Sequence, residues 1–393
     1  MAIIIEGAKL IDGTGQIIDD ASIAIKGNRI SVVQSGHPIP HTDDDFLIEA
    51  SGRIVMPGLI DLHVHPSGLD VKASSAYLAL RFARNVKAML DGGVTTVRIC
   101  GTPDLIDFEV RKAAYAGLVE SPRMFTCGKG LCITGGHLAS LGIGIEVDST
   151  DSYRKAARTL IKNGVDFIKL SSDSLTKYAR PTVEEMRAAI NEAHFANKTV
   201  ATHAGSPQAI LDAIEAGTDT IEHGFLIAEE PDQVLDVMVK KNIYYVPTLY
   251  VRRWNVTKDN RYSDEILQQV KHGLEEHPKS FRLAVDAGVK IAMGSDEGGI
   301  QGSPYGENAY ELELMVANGM SENDAITAST KTAAEALRMG GILGSIEEGK
   351  LADLLVLDAD PLKDIRSLQS RELLHAVIRN GSIASGTVLS ENS

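Results

Sequence analysis

The chain has few cysteines, no long apolar run and a shortage of basic residues. Cys100, Cys127 and Cys132 are its three cysteines. An odd, sparse count gives no disulfide framework, and Cys127 and Cys132 are too far apart for a C-x-x-C pair. All three are expected to be small buried residues. No stretch approaches the ~18 continuous apolar residues of a membrane span. The opening Met1-Ala2-Ile3-Ile4-Ile5-Glu6 has no basic segment, and its apolar run is too short for a secretion signal. A cytoplasmic protein is therefore expected. Lys and Arg number 39 against 53 Asp and Glu, a net charge of -14. That balance argues against a nucleic-acid or anionic-membrane partner and leaves a small-molecule substrate open.

What is present is a chain able to bury a large core, since 44% of its 393 residues are hydrophobic. Residues 1 to about 56 look all-β. The short apolar runs Ile3-Ile4-Ile5, Ile23-Ala24-Ile25 and Ile30-Ser31-Val32-Val33 are separated by turns such as Asp12-Gly13-Thr14-Gly15. The far end is similar, with Ala352-Asp353-Leu354-Leu355-Val356-Leu357 and His375-Ala376-Val377-Ile378 reading as strands. One small composite β domain, 1–56 with 344–393, is expected to clamp a central domain, 57–343.

The central region alternates helix and strand. Candidate strands end at His65, Ile99, Cys127, Leu170, His203, His223, Pro247 and Asp296. Helices stop at glycine in Asp91-Gly92-Gly93-Val94, Asn163-Gly164-Val165, Ala216-Gly217-Thr218 and Ala287-Gly288-Val289, with a strand following each time. Eight such units predict an α/β fold, a (β/α)8 TIM barrel beside a β-sandwich made from both termini. An open doubly wound sheet is the alternative, but no G-x-G-x-x-G follows the first strand. In a barrel, chemistry sits at the carboxyl ends of the strands.

Those ends carry a consistent set of side chains. His63 and His65 close Leu59-Ile60-Asp61-Leu62-His63-Val64-His65, and residues two apart on a strand share a face. Lys169 lies in the apolar strand Asp166-Phe167-Ile168-Lys169-Leu170. His203 ends strand five, His223 ends strand six and Asp296 ends strand eight. Each has a plainer explanation alone. A histidine can be a satisfied rim residue, Asp296 can cap a helix and Lys169 can reach solvent. Six residues of metal-ligand type at the ends of five strands are not explained by packing, and imidazole is the commonest ligand for divalent transition metals.

Pro57-Gly58-Leu59-Ile60-Asp61-Leu62-His63-Val64-His65 resembles the opening signature of the amidohydrolase superfamily, and His203, His223 and Asp296 fall where that family places its other ligands. Gly349-Lys350-Leu351-Ala352-Asp353-Leu354 is similar to the family's return to its β-sandwich. Thr134-Gly135-Gly136-His137, Ile221-Glu222-His223-Gly224 and Val246-Pro247-Thr248-Leu249 resemble motifs of the branch that holds prolidase-like dipeptidases, Xaa-Arg/Lys carboxypeptidases and imidazolonepropionases. The resemblance implies two divalent metals, and the mix of imidazole and oxygen ligands makes zinc the first choice and manganese or cobalt the next. It puts one on His63, His65 and Asp296 and another on His203 and His223. A CO2-derived carbamate on Lys169 would bridge them. A desolvated lysine amine is more readily neutral, and a neutral amine can attack CO2. The implied reaction is hydrolysis of an amide or peptide C–N bond by a hydroxide shared between the metals, with Asp296 as catalytic general base.

Two positions depart from the branch. Deaminase and imidazolonepropionase members carry glutamate three residues after the strand-five histidine; Ser206 stands there, which counts against deamination. Many peptidases carry tyrosine two residues after it; Gly205 stands there, which leaves the dipeptide substrate in doubt. The expected substrate is a dipeptide or N-acyl amino acid, with a cyclic amide, lactone or ester as the alternative. A catalytically dead binding barrel is disfavoured because all six ligands are kept. His137, in a glycine-rich loop after strand three, is the first candidate to hold the substrate. Arg98 is the second, weighed against a structural salt bridge, and Arg252 or Arg253 the third. His37, His41, His194, His272, His277 and His375 are expected to be structural or superficial. A homo-oligomer is expected.

Overall fold

The structure, a computed structural model, describes residues 2–70, 72–173, 180–253, 264–299 and 303–391. Both ends of the chain enter one eight-stranded sheet. Ala2–Ile11, Ile17–Lys26, Arg29–Ser35, Phe46–Glu49 and Ile54–Pro57 come from the amino end; Leu354–Leu357, Leu374–Arg379 and Ser382–Ser385 come from the carboxyl end. The seam between them is the antiparallel pair Ile54–Pro57 and Leu354–Leu357, with Val55 opposite Val356. Ile5, Leu10, Ile23, Val55, Leu354 and Val356 build a buried apolar layer on this sheet, as the alternating apolar pattern requires.

The region between is α/β with parallel strands. Leu59–Val64, Val94–Ile99 and Arg123–Thr126 pair in parallel as one sheet. Phe167–Ser171, Thr199–Ala204, Thr220–His223, Tyr244–Val246 and Lys290–Ile291 pair in parallel within a second. Both margins of the first sheet are bonded to the second. The Asp166 amide donates to the Thr126 carbonyl at 2.8 Å. On the opposite side the Leu62 amide donates to Met293 O (2.9 Å) and the Asp296 amide to His63 O (2.7 Å).

The strands are buried along nearly their whole length because helices cover them, as in Ser75–Asp91, Thr150–Lys162, Val183–Phe195 and Pro207–Ala216. These helices begin at side-chain caps (Ser74, Ser149, Thr182 and Ser206), each accepting from a backbone N–H in the first turn. The last of them ends on Gly217 at φ 105°, a left-handed conformation that glycine adopts without a Cβ penalty.

The eighth strand differs from the sequence expectation. It is two residues long, Lys290–Ile291, and the segment on to Asp296 is irregular. The cause is a change of partners: Ala292 N donates to Tyr245 O, Met293 N to Ala328 O and Met293 O accepts from Leu62 N. No helix among the described residues is long and apolar enough to cross a membrane. Cys100, Cys127 and Cys132 are free and buried, as expected.

Candidate metal centre

Asp61 organises the first corner of the site. Its Oδ1 accepts from the amides of His63 and Ser295, both at 3.0 Å, and its Oδ2 from the Ser295 hydroxyl at 2.5 Å and Asn308 Nδ2 at 2.8 Å. One buried carboxylate thus ties the end of the first parallel strand to the segment carrying Asp296. Burial raises the Asp61 pKa, against the lowering effect of these hydrogen bonds. Gly294 allows the approach: a Cβ there would stand 2.3 Å from Val246 Cγ1 and 3.0 Å from His63 Cβ.

The expected histidines converge. Ring centroids run in a row: His65 to His63 at 5.4 Å, His63 to His223 at 4.8 Å, His223 to His203 at 4.5 Å, and His203 to His137 at 4.7 Å. Donor atoms of His63, His65 and Asp296 all lie within 4.8 Å of one another. Asp296 Oδ1 is 3.3 Å from His65 Nε2 and 3.7 Å from His63 Nε2. Lys169 is 1% exposed, and its charge is felt by His63, His203 and His223. The parallel register sets Ser171 opposite His203 and Ala204 opposite His223, bringing the three strand ends level.

Three of the imidazoles have their inner nitrogen engaged. His65 Nδ1 lies 3.2 Å from the Gly101 carbonyl, which can only accept, so Nδ1 carries the hydrogen and Nε2 the lone pair. His63 Nδ1 is 2.7 Å from Glu222 Oε2, and His223 Nδ1 is 2.8 Å from the Thr248 hydroxyl. Burial first, and then neighbouring positive charge, lowers the pKa of His63, His203 and His223 well below the ordinary imidazole range. Neutral rings held by a second partner are the form in which histidine ligates metal.

Two atoms decide whether a divalent cation fits here. Lys169 Nζ and Asp296 Oδ1 are buried, and among the described residues neither has a hydrogen-bond partner. Leaving a buried polar group unpaired costs about 1–3 kcal/mol, more when it is charged. A nitrogen-rich, oxygen-containing donor set around two such atoms fits a zinc-type ion. The backbone points the same way. His223, Thr248 and Asp296 hold φ of 73°, 57° and 57°, a region sparsely populated by residues other than glycine and concentrated at functional sites. A second trio, His63, Cys100 and Glu222, also brings donors within 4.8 Å. It suits a cation poorly, because burial pushes the Cys100 thiol up to about 12 and the Arg98 guanidinium already lies against Glu222.

The other named residues separate clearly. His137 begins the short helix His137–Ser140 and is half-buried at the end of the histidine row. Arg98 is fully buried, with Nε on Leu62 O at 2.6 Å, Nη1 on the Thr220 hydroxyl at 3.2 Å and Nη2 on Glu222 at 2.7 Å. Those bonds match the salt-bridge alternative rather than contact with a substrate. The side chains of Arg252 and Arg253 lie outside the described residues. Ser206 caps Pro207–Ala216. His194 pairs with Asp219 and His272 with Glu229 at the surface, whereas His277 is fully buried with its ring edge-on to Phe225, which stacks on His223. Glu222, Asp61 and Thr248 were not singled out from sequence, although each lies inside a motif that was.

A model of the amidohydrolase family matches residues 54–384. The chain belongs to the amidohydrolase family. This amidohydrolase is 27% identical over 431 aligned residues to ochratoxinase from Aspergillus niger, covering 98% of the chain and 86% of that protein. Among solved structures it resembles a Xaa-Pro dipeptidase with methionine bound in its active site, at 31% identity and a TM-score of 0.88, covering 98% of this chain and 99% of that one. A prolidase complexed with N-methylphosphonate-L-proline is 28% identical, with a TM-score of 0.86 and the same coverage. Membership and these relatives support a hydrolase acting on C–N bonds.

Proposed function

We propose that this chain is a two-metal hydrolase that cleaves the amide or peptide bond of a dipeptide or N-acyl amino acid. The observation that carries the reading is the row of imidazoles beside Asp296, three of them with Nδ1 already engaged, around a Lys169 amine that has no hydrogen-bond partner among the described residues. Both margins of the three-stranded sheet are bonded to the second sheet, which supports closure into a (β/α)8 barrel, residues 57–343, beside a β domain of residues 1–56 and 344–393.

His63, His65 and Asp296 would hold one ion, His203 and His223 the other, and a carboxylated Lys169 would serve both. When bound, zinc, or else manganese or cobalt, polarises the scissile carbonyl and acidifies the attacking water. Asp296 is the one carboxylate in this set, and its side chain is 15% exposed. It takes the proton from the attacking water and returns it to the leaving amine as the C–N bond breaks. His137 stands beside His203 on the half-buried edge, where its ring can donate to the substrate's carboxylate. The amino-acid and N-substituted proline ligands in the two related structures support a substrate ending in a free amino-acid carboxylate. Ser206 serves as a helix cap and offers no acid at the position that deaminases use.

The test is a screen of purified, metal-loaded protein against dipeptides, N-acyl amino acids, their amidated forms, lactams, lactones and purine or pyrimidine rings. Turnover of carboxylate-bearing amides, lost on amidation, is expected. Activity confined to neutral amides, esters or lactones overturns the substrate, and ammonia release from a ring overturns the reaction.

A further inference from the structure

Glu222 joins Arg98 to His63 inside the protein. Its Oε1 accepts from Arg98 Nη2 at 2.7 Å and from the Thr220 hydroxyl, while its Oε2 lies 2.7 Å from His63 Nδ1. Arg98 and Glu222 are 0% exposed and His63 is 2% exposed. Arg98 also donates Nε–H to the carbonyl of Leu62, the residue before His63, at 2.6 Å. One guanidinium therefore fixes both the backbone leading into His63 and the carboxylate behind its ring.

The chemistry of this chain of contacts has one consistent direction. A guanidinium can only donate, and an ionised carboxylate can only accept. Oε1 is occupied by Arg98 and Thr220, so Oε2 faces the imidazole as an acceptor. His63 Nδ1 then has to carry the ring hydrogen. The lone pair falls on Nε2, the nitrogen that lies 3.7 Å from Asp296 Oδ1. A merely stabilising ion pair does not account for this arrangement. Buried pairs contribute little net stability over apolar residues of equal volume, and nothing in such a role requires the second oxygen to meet a ligand ring.

We propose that Glu222, held by Arg98 and Thr220, is the positioning residue that sets the His63 tautomer and thereby determines whether the site takes up metal. This rests on the reading of the site as a metal centre. Glu222 is adjacent to His223 in the chain, yet it acts on the ring across the site rather than on its neighbour's. In Glu222→Gln, Arg98 and Thr220 keep the amide oxygen, because both donate to it. The amide N–H is then turned on His63 Nδ1, which has to accept, and the hydrogen moves to Nε2.

The experiment compares metal-depleted wild type, E222Q and the apolar double replacement R98M/E222L in zinc competition against a chelator. Nitrogen-15 NMR of the histidine rings is run on the same metal-depleted samples, with His63 assigned from a His63→Asn spectrum. Wild type is expected to show His63 protonated at Nδ1. E222Q is expected to show the hydrogen on Nε2 and to bind zinc at least ~10-fold more weakly, the usual scale for losing a ligand's supporting carboxylate. R98M/E222L is expected to keep a near-normal melting temperature and to lose zinc affinity to a similar extent. A wild-type His63 carrying its hydrogen on Nε2 overturns the proposal even if neither variant folds, as does a folded E222Q that binds zinc with unchanged affinity. Wild type that takes up no zinc overturns the metal-centre reading itself, a result distinct from the other two.

Discussion

The Nδ1 atom of His223 lies 2.8 Å from the Thr248 hydroxyl, and both residues hold left-handed backbone, at φ 73° and 57°. Neither conformation is cheap for a residue with a Cβ, and strain of this kind costs on the order of 1–3 kcal/mol each. The pair couples the ends of the sixth and seventh parallel strands so that the His223 ring faces the site. Thr248→Val keeps the β-branched shape and removes the hydroxyl. It is expected to weaken zinc binding about 10- to 100-fold with little change in melting temperature. Chelator competition and calorimetry on the same sample check it; unchanged affinity would assign Thr248 to folding alone.

Asp296 is reached by a second, steric route. A Cβ at Gly299 would stand 2.3 Å from Asp296 Oδ1, closer than real Cβ atoms come. Gly299→Ala is therefore expected to displace the carboxylate and lower kcat at least ~10-fold, since misplacing a reacting group by about an ångström can cost 10²-fold. The fold should be retained. Steady-state kinetics beside thermal denaturation reads both quantities, and normal kcat in G299A would show that the carboxylate has freedom the geometry denies it.

Asp296→Asn probes the proton transfer. Folding should be intact and kcat lowered by orders of magnitude, because the amide cannot accept the water's proton. Near-normal turnover of a substrate that the parent cleaves would remove Asp296 from the mechanism.

The strand-seven loop carries a pH signature. Glu311 is fully buried and accepts from the amides of Leu249 at 2.8 Å and Tyr250 at 2.6 Å. Burial raises its pKa well above the ordinary carboxylate range; the two N–H bonds lower it by less, and Asp61 and Asp296 add to the rise. The folded state thus binds this proton more tightly than the unfolded chain. Its contribution to stability is complete below the unfolded value of about 4.3 and is lost as pH rises through the folded value, by up to about 1.4 kcal/mol per pH unit. Urea denaturation of metal-free protein should show the stability of wild type relative to Glu311→Gln falling as pH rises above the unfolded value. A stability that climbs with pH equally in both proteins would contradict this.

Much of the site was legible because metal ligation needs particular residue types, and period-2 alternation places His63 and His65 on one face. The same rule hid the rest. Alternation would send Glu222 and His223 to opposite faces. The positive φ at His223 breaks the alternation and lets the two neighbours serve one site, Glu222 through His63 and His223 directly. No composition signal marks a histidine for that conformation. In the sequence Asp61 is one polar residue within an apolar strand, but its four acceptor contacts run to Ser295 and Asn308 as well as His63, partners more than two hundred residues away in the chain for the first two. His277, expected to be structural or superficial, is the structural kind: it is fully buried with its ring edge-on to Phe225. The eighth strand is shorter than the sequence predicts because an apolar run cannot report that its hydrogen bonds leave the seventh strand from Met293 onward.

The most direct test of the central claim is an anomalous-scattering electron-density map of protein purified without chelator, with metal content measured on the same preparation. The account predicts two ions per chain among His63, His65, His203, His223 and Asp296, with extra density on Lys169 Nζ bridging them. A single ion or none, beside an unmodified Lys169 amine in a correctly folded protein, would contradict it.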